Sequence, residues 1–289
     1  MMFVQTIFSG ITNGSIYALI AVGLIIAFNA TDVINFAHGS VIVFASMIMV
    51  TLVEKLGISI ALSFIISVGA AALLGACLER LIIRPAKNPT LLSLIIITLG
   101  AGMAIEGLIM AIWGKEFMSL SPFIKGKSIT VLGATIIPQV VLIIGSAAVI
   151  VVFLELYYKK TISGKAMTAC FIDKVMARLL GIRASRVSLF SFALSAAVGG
   201  VAGILITPIT FTSHNLCLWW VLKGFIASVI GGMGNIYGAV LGGFLLGELE
   251  SFSAGYLSSA YSNILVFLVL IIALYLRPTG ILGSIEKSH

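Results

Sequence analysis

Long uninterrupted apolar stretches alternate along this chain with short polar ones. Residues 1–31, 33–53, 56–78, 88–105, 128–154, 187–222, 224–247 and 251–276 contain no Asp, Glu, Lys or Arg. Most of these runs reach the ~20 residues that a helix needs to cross the hydrocarbon core of a bilayer. Their apolar positions are continuous rather than alternating, which is the pattern of helices and not of barrel strands, whose two faces impose a period of two. The expected fold is an all-α integral membrane protein: a single transmembrane domain over residues 1–289, with about eight transmembrane helices plus broken or re-entrant segments.

The runs predict spans at about 3–28, 39–53, 58–78, 90–113, 136–157 and 187–207, the last ended by Pro208. Beyond it, residues 219–230 are followed by "GGMGNIYG", four glycines in eight residues. Glycine is entropically poor inside a helix, so a break is expected at 231–234. A return through 236–249 and a last span at 261–276 follow from it. "GSIYALIAVG" at 14–23 and "GNIYGAVLGG" at 234–243 share four of ten positions, a faint internal echo of the kind that transporter repeats produce.

Composition agrees: 60% of residues are hydrophobic and 9% charged, against roughly a quarter charged in soluble domains. The formal charge of +7 is a matter of location and gives no reason to invoke nucleic acid. Arg80, Arg84 and Lys87 form one basic cluster, residues 159–186 hold seven basic side chains, and Arg277 and Lys287 lie near the end. The span count puts all of these on one side, which is the cytoplasm by the positive-inside rule; Lys125, in the loop 114–135, then lies outside. Only the parity with a broken segment after residue 230 keeps the C-terminal cluster in. The N-terminal run lacks a basic leader and a small-residue cleavage site, so it reads as the first span rather than a removable signal. Cys77, Cys170 and Cys217 are widely spaced and suggest neither a disulfide framework nor a metal site.

Between the first two spans, "VINFAHGSVIVF" brings Asn35, His38 and Gly39 together with no basic residue. Polar backbone at membrane depth is tolerated only where protein shields it from lipid. Asn35 is expected to cap the following helix, His38 to donate to a carbonyl, and Gly39 to permit close backbone approach. His38 has two readings, a structural hydrogen-bonded histidine or part of a substrate path and inner gate, as intramembrane polar groups invite.

A second element lies in 159–186. Ala169, Ile172, Met176, Leu179 and Leu180 fall on one helical stripe, Lys174 and Arg178 lie away from it, and Gly181 suits a helix-stopping C′ position. An amphipathic helix over 166–180 is expected. By pattern alone it is a helix lying on anionic membrane lipid, a basic topology anchor or a docking helix.

"GSIYALIAVGLIIAF" at 14–28, "INFAHGS" at 34–40, "GKAMTACFIDKVMARLLGI" at 164–182 and "GGMGNIYGAVLGGFLLGELE" at 231–250 together resemble permease subunits of branched-chain (hydrophobic) amino-acid ABC importers, in order and over essentially the whole length. One departure is Thr168, where such permeases commonly carry an arginine. The resemblance implies an ABC importer permease fold in a bacterial or archaeal inner membrane. It implies that the loop 159–186 is the coupling element, with Ala169, Ile172, Asp173, Met176, Leu179, Leu180 and Gly181 meeting an ATPase. It also implies a second homologous permease subunit, two ATPase subunits and a soluble substrate-binding protein. The same family resemblance extends to permeases for urea, amides and other small solutes, so the substrate is open.

The chain has no GxxxxGK[ST] phosphate loop, so no cofactor is expected in it, and ATP and Mg are expected on the partner ATPases. No Ser/His/Asp or Cys/His constellation can be assembled from His38, His214 and His289, so no catalytic residue and no metal ligand is assigned. The alternative from another class is a self-contained channel or secondary carrier. Charges inside spans are costly and usually paired; besides Glu106, Lys223 is expected to pair with Glu248 or Glu250, unless these carboxylates lie at a membrane surface.

Overall fold

The computed structural model describes residues 2–86, 90–124, 126, 128–131, 134–257, 259–277 and 279–283. Lys87, Lys125 and Lys287, which enter the charge map above, lie outside the described residues. In chain order the elements are α1 (Met2–Thr31), α2 (His38–Val50), α3 (Ile60–Leu78), α4 (Leu91–Trp113), the hairpin β1 (Ile129–Val131) and β2 (Ala134–Ile136), α5 (Pro138–Lys160), α6 (Ile162–Ile172), α7 (Lys174–Leu179), α8 (Ala184–Ile206), α9 (Cys217–Gly231), α10 (Ile236–Tyr256) and α11 (Ser259–Leu276). Single π turns prolong α2 through Thr51–Lys55 and α3 through Glu79–Ile83. Among the described residues, seven helices are long and apolar enough to cross a membrane: α1 to α5, α8 and α9 with its preceding turn. Leu73, Met103 and Val149 are each exposed over two-thirds of their surface or more, an arrangement that suits lipid tails and would be a liability in water.

Contacts divide the chain into two compact units. Unit 1 comprises Met1–Ile25, Pro122–Ala148 and Leu222–His289; unit 2 comprises Ile26–Ser121 and Val149–Val221.

In unit 2, α8 packs against both α2 and α3 along the small-residue run 196–203. A Cβ added at Gly75 of α3 would lie 2.5 Å from the Phe192 carbonyl. One at Gly200 would lie 3.0 Å from Ala71 and 3.1 Å from Ala45, and one at Gly203 2.7 Å from the Ile42 carbonyl. Lipid tails are as apolar as leucine, so helices in a bilayer associate through such close van der Waals approach rather than by escaping water. At one end of the unit the Trp113 indole donates to Thr51 Oγ1 (2.6 Å), and Met118 bridges Thr212. The opposite end carries the basic residues: Arg84 donates to the Ser185 carbonyl (2.7 Å) and Lys174 pairs with Asp32 (2.6 Å).

Unit 1 uses the same chemistry. Gly10, Gly14 and Ala18 recur every four residues on α1, as do Gly243, Gly247 and Ser251 on α10, and the two stripes face each other: a Cβ at Gly14 would lie 2.8 Å from the Phe244 Cα. The two segments of the sequence echo are thus partly packing partners. The expected break after residue 230 is present, with Gly232 at φ +110° and Gly234 at φ +94°. It is pinned by the segment after α11, since Ile281 and Leu282 donate to the Ile230 and Gly231 carbonyls (3.0 and 2.9 Å) and Asn235 donates to Leu282 O (3.1 Å). The break therefore sits at the end of the unit that carries Arg277. The return helix is longer than the 236–249 read from sequence. Asn235 caps α10 through the Tyr237 and Gly238 amides, and the helix runs past Glu250 to Tyr256, 21 residues in all, ~31 Å long.

Gly39 offers the sharpest test of this packing, because any Cβ there would collide with the Cys217 carbonyl, whereas Gly69 and Gly107 have open space around them. Overpacking of this kind costs about 1–3 kcal/mol. Gly39→Ala is expected to lower the thermal midpoint of the detergent-solubilised protein by several degrees, with Gly69→Ala and Gly107→Ala neutral. Equal midpoints for all three would refute the close approach.

Candidate functional site

The sequence-assigned residues fall in three places. The first is the connector between α1 and α2. α1 ends at Thr31, and Asp32 turns the chain at φ +59°, the one described non-glycine residue with positive φ. Asn35 is 4% and His38 1% exposed. Asn35 does not cap α2 as expected: the N-cap position is Ala37, which has no side-chain cap. Instead Asn35 Oδ1 accepts from the Ala37 amide (3.1 Å), and its carbonyl accepts from the His38 amide (3.2 Å), forming a tight turn just before the helix. The turn is held to α4, with Thr98 Oγ1 donating to the Ile34 carbonyl (3.3 Å) and Ser40 Oγ to the Gly102 carbonyl (3.0 Å).

His38 does not reach a carbonyl. Its Nδ1 lies 3.4 Å from Ser195 Oγ of α8, and its ring lies on Gly199, where a Cβ would come within 2.6 Å of Cε1. The Nε2 atom is buried and has no hydrogen-bond partner among the described residues. Gly39 does provide the close backbone approach expected of it. In unit 2 these three residues thus form a buried joint between α2, α4, α8 and the start of α9.

The second place is the loop between α5 and α8. The continuous helix expected over 166–180 is two helices. Asp173, at φ −152° and ψ 110°, interrupts them and caps α7 by accepting from the Val175 and Met176 amides (2.7 and 3.0 Å). A short acceptor side chain stabilises a cap better than a helix interior, and that local preference wins over the periodicity. α6 buries Gly164, Met167 and Cys170, spaced three apart, and α7 buries Ala177. Gly164 sits against the Tyr157 backbone, which fixes the loop to the end of α5. Burial pushes the Cys170 thiol up, against the opposing pull of Lys174 and Arg178.

Ala169 is half-buried, whereas Ile172, Met176, Leu179 and Leu180 are exposed, Leu179 and Leu180 by more than three-quarters. Val175, absent from the sequence stripe, is exposed beside them. Gly181 ends α7 at φ +83°, its amide donating to Arg178 O and the Ile182 amide to Ala177 O (both 3.0 Å), the paired closure of a Schellman motif. Lys174, at the head of α7, ion-pairs with Asp32 of the connector.

The third place is in unit 1. Lys223 of α9 pairs with Glu250 of α10, and Tyr17 of α1 completes a triangle: its hydroxyl donates to Glu250 Oε2 (2.6 Å), accepts from Lys223 Nζ (3.1 Å), and its ring lies 5.1 Å from the ammonium. Glu248 is not the partner; its carboxylate abuts Gly10. Elsewhere, Glu106 in α4 has His214 Nδ1 at 3.6 Å. Among the described residues no group of three His, Cys, Asp or Glu could hold a metal ion. Sequence reasoning missed Tyr17, Asp32 and Ser195; only Asp32 carried a signal, as the single carboxylate between the first two spans.

With the Lys223 and Glu250 side chains 14% and 17% exposed, removal of one partner strands a charge, at about 3–5 kcal/mol. Lys223→Met is expected to destabilise unit 1 markedly, and the double variant Lys223→Met/Glu250→Gln to recover most of the loss in a detergent thermal-unfolding assay. A double variant no better than the single would show that the two groups are not coupled.

The family described as "Branched-chain amino acid transport system / permease component" matches residues 6–274. The chain is 32% identical to the high-affinity branched-chain amino acid transport system permease protein LivH of Salmonella typhimurium, over 98% of this chain and 96% of the relative. It is 31% identical to LivH of Escherichia coli K12, over the same shares. With BraD of Pseudomonas aeruginosa, of the corresponding system, the identity is 30% over 98% and 97%. No solved structure matches. A multi-pass protein of the inner membrane, the chain belongs to the branched-chain amino acid transport permease family.

Proposed function

We propose that this chain is the membrane-spanning permease of an ABC importer that carries branched-chain or other hydrophobic amino acids inward, without chemical transformation of its own. It works beside a second homologous permease, receives solute from a soluble binding protein outside, and is driven by two ATPase subunits that bind ATP and Mg. The names of its relatives support the substrate class. The observation that carries the mechanism is the apolar face Ile172, Val175, Met176, Leu179 and Leu180, left exposed at the basic end of unit 2 while the opposite faces of α6 and α7 are buried.

Such a face accepts an ATPase groove, and movement of the ATPase pair then displaces α7. Two routes lead from α7 into the membrane. The Lys174–Asp32 pair reaches the α1–α2 connector, but with side chains 32% and 55% exposed it contributes only about 0–1 kcal/mol. The stiffer route is steric, through buried Ala177, Met167 and Cys170 and the Gly164–Tyr157 backbone contact. Displacement of the connector reaches the joint of Asn35, His38 and Gly39, whose proposed role is to hold the inner end of the pathway.

Met176→Lys or Leu179→Lys is expected to insert normally yet release the ATPase in a detergent pull-down and abolish uptake, because a charge would be buried unpaired at the interface. Wild-type ATPase stoichiometry with Met176→Lys would overturn the docking role. Gly181→Val should behave differently. No atom lies within 4 Å of its added Cβ, so the penalty is backbone strain at positive φ, about 1–3 kcal/mol. The ATPase should stay bound while ATP hydrolysis and uptake of radiolabelled leucine uncouple.

A further inference from the structure

A cavity of about 710 Å³ opens at the basic end of unit 2, where α6 passes the ends of α3 and α8. Four guanidinium groups line it: Arg80 and Arg84 beyond α3, Arg183 just before α8 and Arg186 in its first turn. Glu79 is 3% exposed and already holds Arg84, which also donates to the Ser185 carbonyl. Among the described residues Arg80, Arg183 and Arg186 make no ion pair. The cavity therefore gathers a surplus of three positive charges in one concave space. All four arginines are exposed, so water and salt weaken their repulsion, but the concave grouping of like charges still favours an anion among them.

Apart from Ser163 and Ser185, the rest of the wall is apolar. Met167 of α6 and Leu189 and Phe190 of α8 line the same space, with Phe190 stacked against Tyr157 at 6.2 Å between ring centroids. A small soluble anion gains nothing from such a wall. A molecule with an anionic head and an apolar body fits both parts, and the site lies where basic residues mark the boundary between bilayer and cytoplasm. Planar guanidinium forks suit the oxygens of a phosphate, and basic pockets between helices at this depth are places where anionic lipid headgroups bind.

We propose that this cavity is a site for an anionic phospholipid of the inner leaflet, its phosphodiester held by Arg80, Arg183 and Arg186 and its acyl chains leaving past Leu189 and Phe190. The lipid bridges α6 to the ends of α3 and α8. It thereby helps set the position of the segment that carries α7, so coupling depends on bilayer composition.

The test uses the complete importer in vesicles of phosphatidylcholine alone or with added phosphatidylglycerol. Arginine modification by the uncharged reagent phenylglyoxal is read residue by residue by mass spectrometry, with exposed Arg277 as reference. Phosphatidylglycerol is expected to protect Arg183 and Arg186 but not Arg277. Arg183→Gln/Arg186→Gln removes two guanidinium groups from the headgroup and should weaken retention of phosphatidylglycerol by the purified complex about thirtyfold, whereas Arg183→Lys/Arg186→Lys should largely retain it. Inorganic phosphate added to phosphatidylcholine vesicles should protect poorly. Equal protection by phosphate would make the ligand a soluble anion and overturn the lipid assignment. No protection by either would overturn the site, whether or not the variants fold.

Discussion

The structure depends on helices approaching one another more closely than side chains normally allow. In lipid there is no gain from hiding apolar surface, so association rests on dispersion contacts whose strength falls quickly with separation. Glycine and alanine let backbones meet, and this chain concentrates them where helices cross: residues 196–203 on α8 between α2 and α3, and the facing stripes of α1 and α10. Large apolar residues such as Leu73, Met103 and Val149 are turned outward instead. The inside-out distribution is what a bilayer as solvent demands.

The partly buried charged pair of unit 1 enters this packing with partners. Lys223, Glu250 and Tyr17 satisfy one another across three helices. His38 works by shape: its ring fills the space opened by Gly199, and its nearest polar neighbour is Ser195. A glycine opposite a histidine is the same small-against-large device as a glycine opposite a carbonyl. The connector that bears His38 is enclosed by α4 and α8, which supply hydrogen bonds and walls that water would supply elsewhere.

Span positions were legible because membrane thickness converts directly into length of apolar run; the boundaries of α4 and α8 lie within about three residues of those read from composition. The break at 231–234 was legible because four glycines leave little else. Less visible was anything settled by a partner distant in sequence. Periodicity counts Asp173 as one more residue on a helix, although its side chain caps the next one. Glu248 and Glu250 are equivalent as letters, and only their packing neighbours distinguish them, with Tyr17 of α1 and Lys223 of α9 facing Glu250 and Gly10 of α1 facing Glu248. Val175 joined the exposed face only after the interruption at Asp173 set the phase of α7.

That interruption sets how each half of the segment meets the rest of unit 2. One unbroken helix over 166–180 would have a single phase, so its apolar stripe would be divided between burial within unit 2 and exposure. Breaking it at Asp173 lets each half take its own orientation. α6 commits Gly164, Met167 and Cys170 inward, while α7 buries only Ala177 and turns Val175, Met176, Leu179 and Leu180 outward. The cap at Asp173 and the closure at Gly181 then matter more than for a longer helix. Six residues are far too few to hold helical form unaided, and α7 has both ends satisfied within its own loop. The segment is therefore held in shape at both ends of α7 while α6 anchors it, and the proposed docking of a partner depends on that shape.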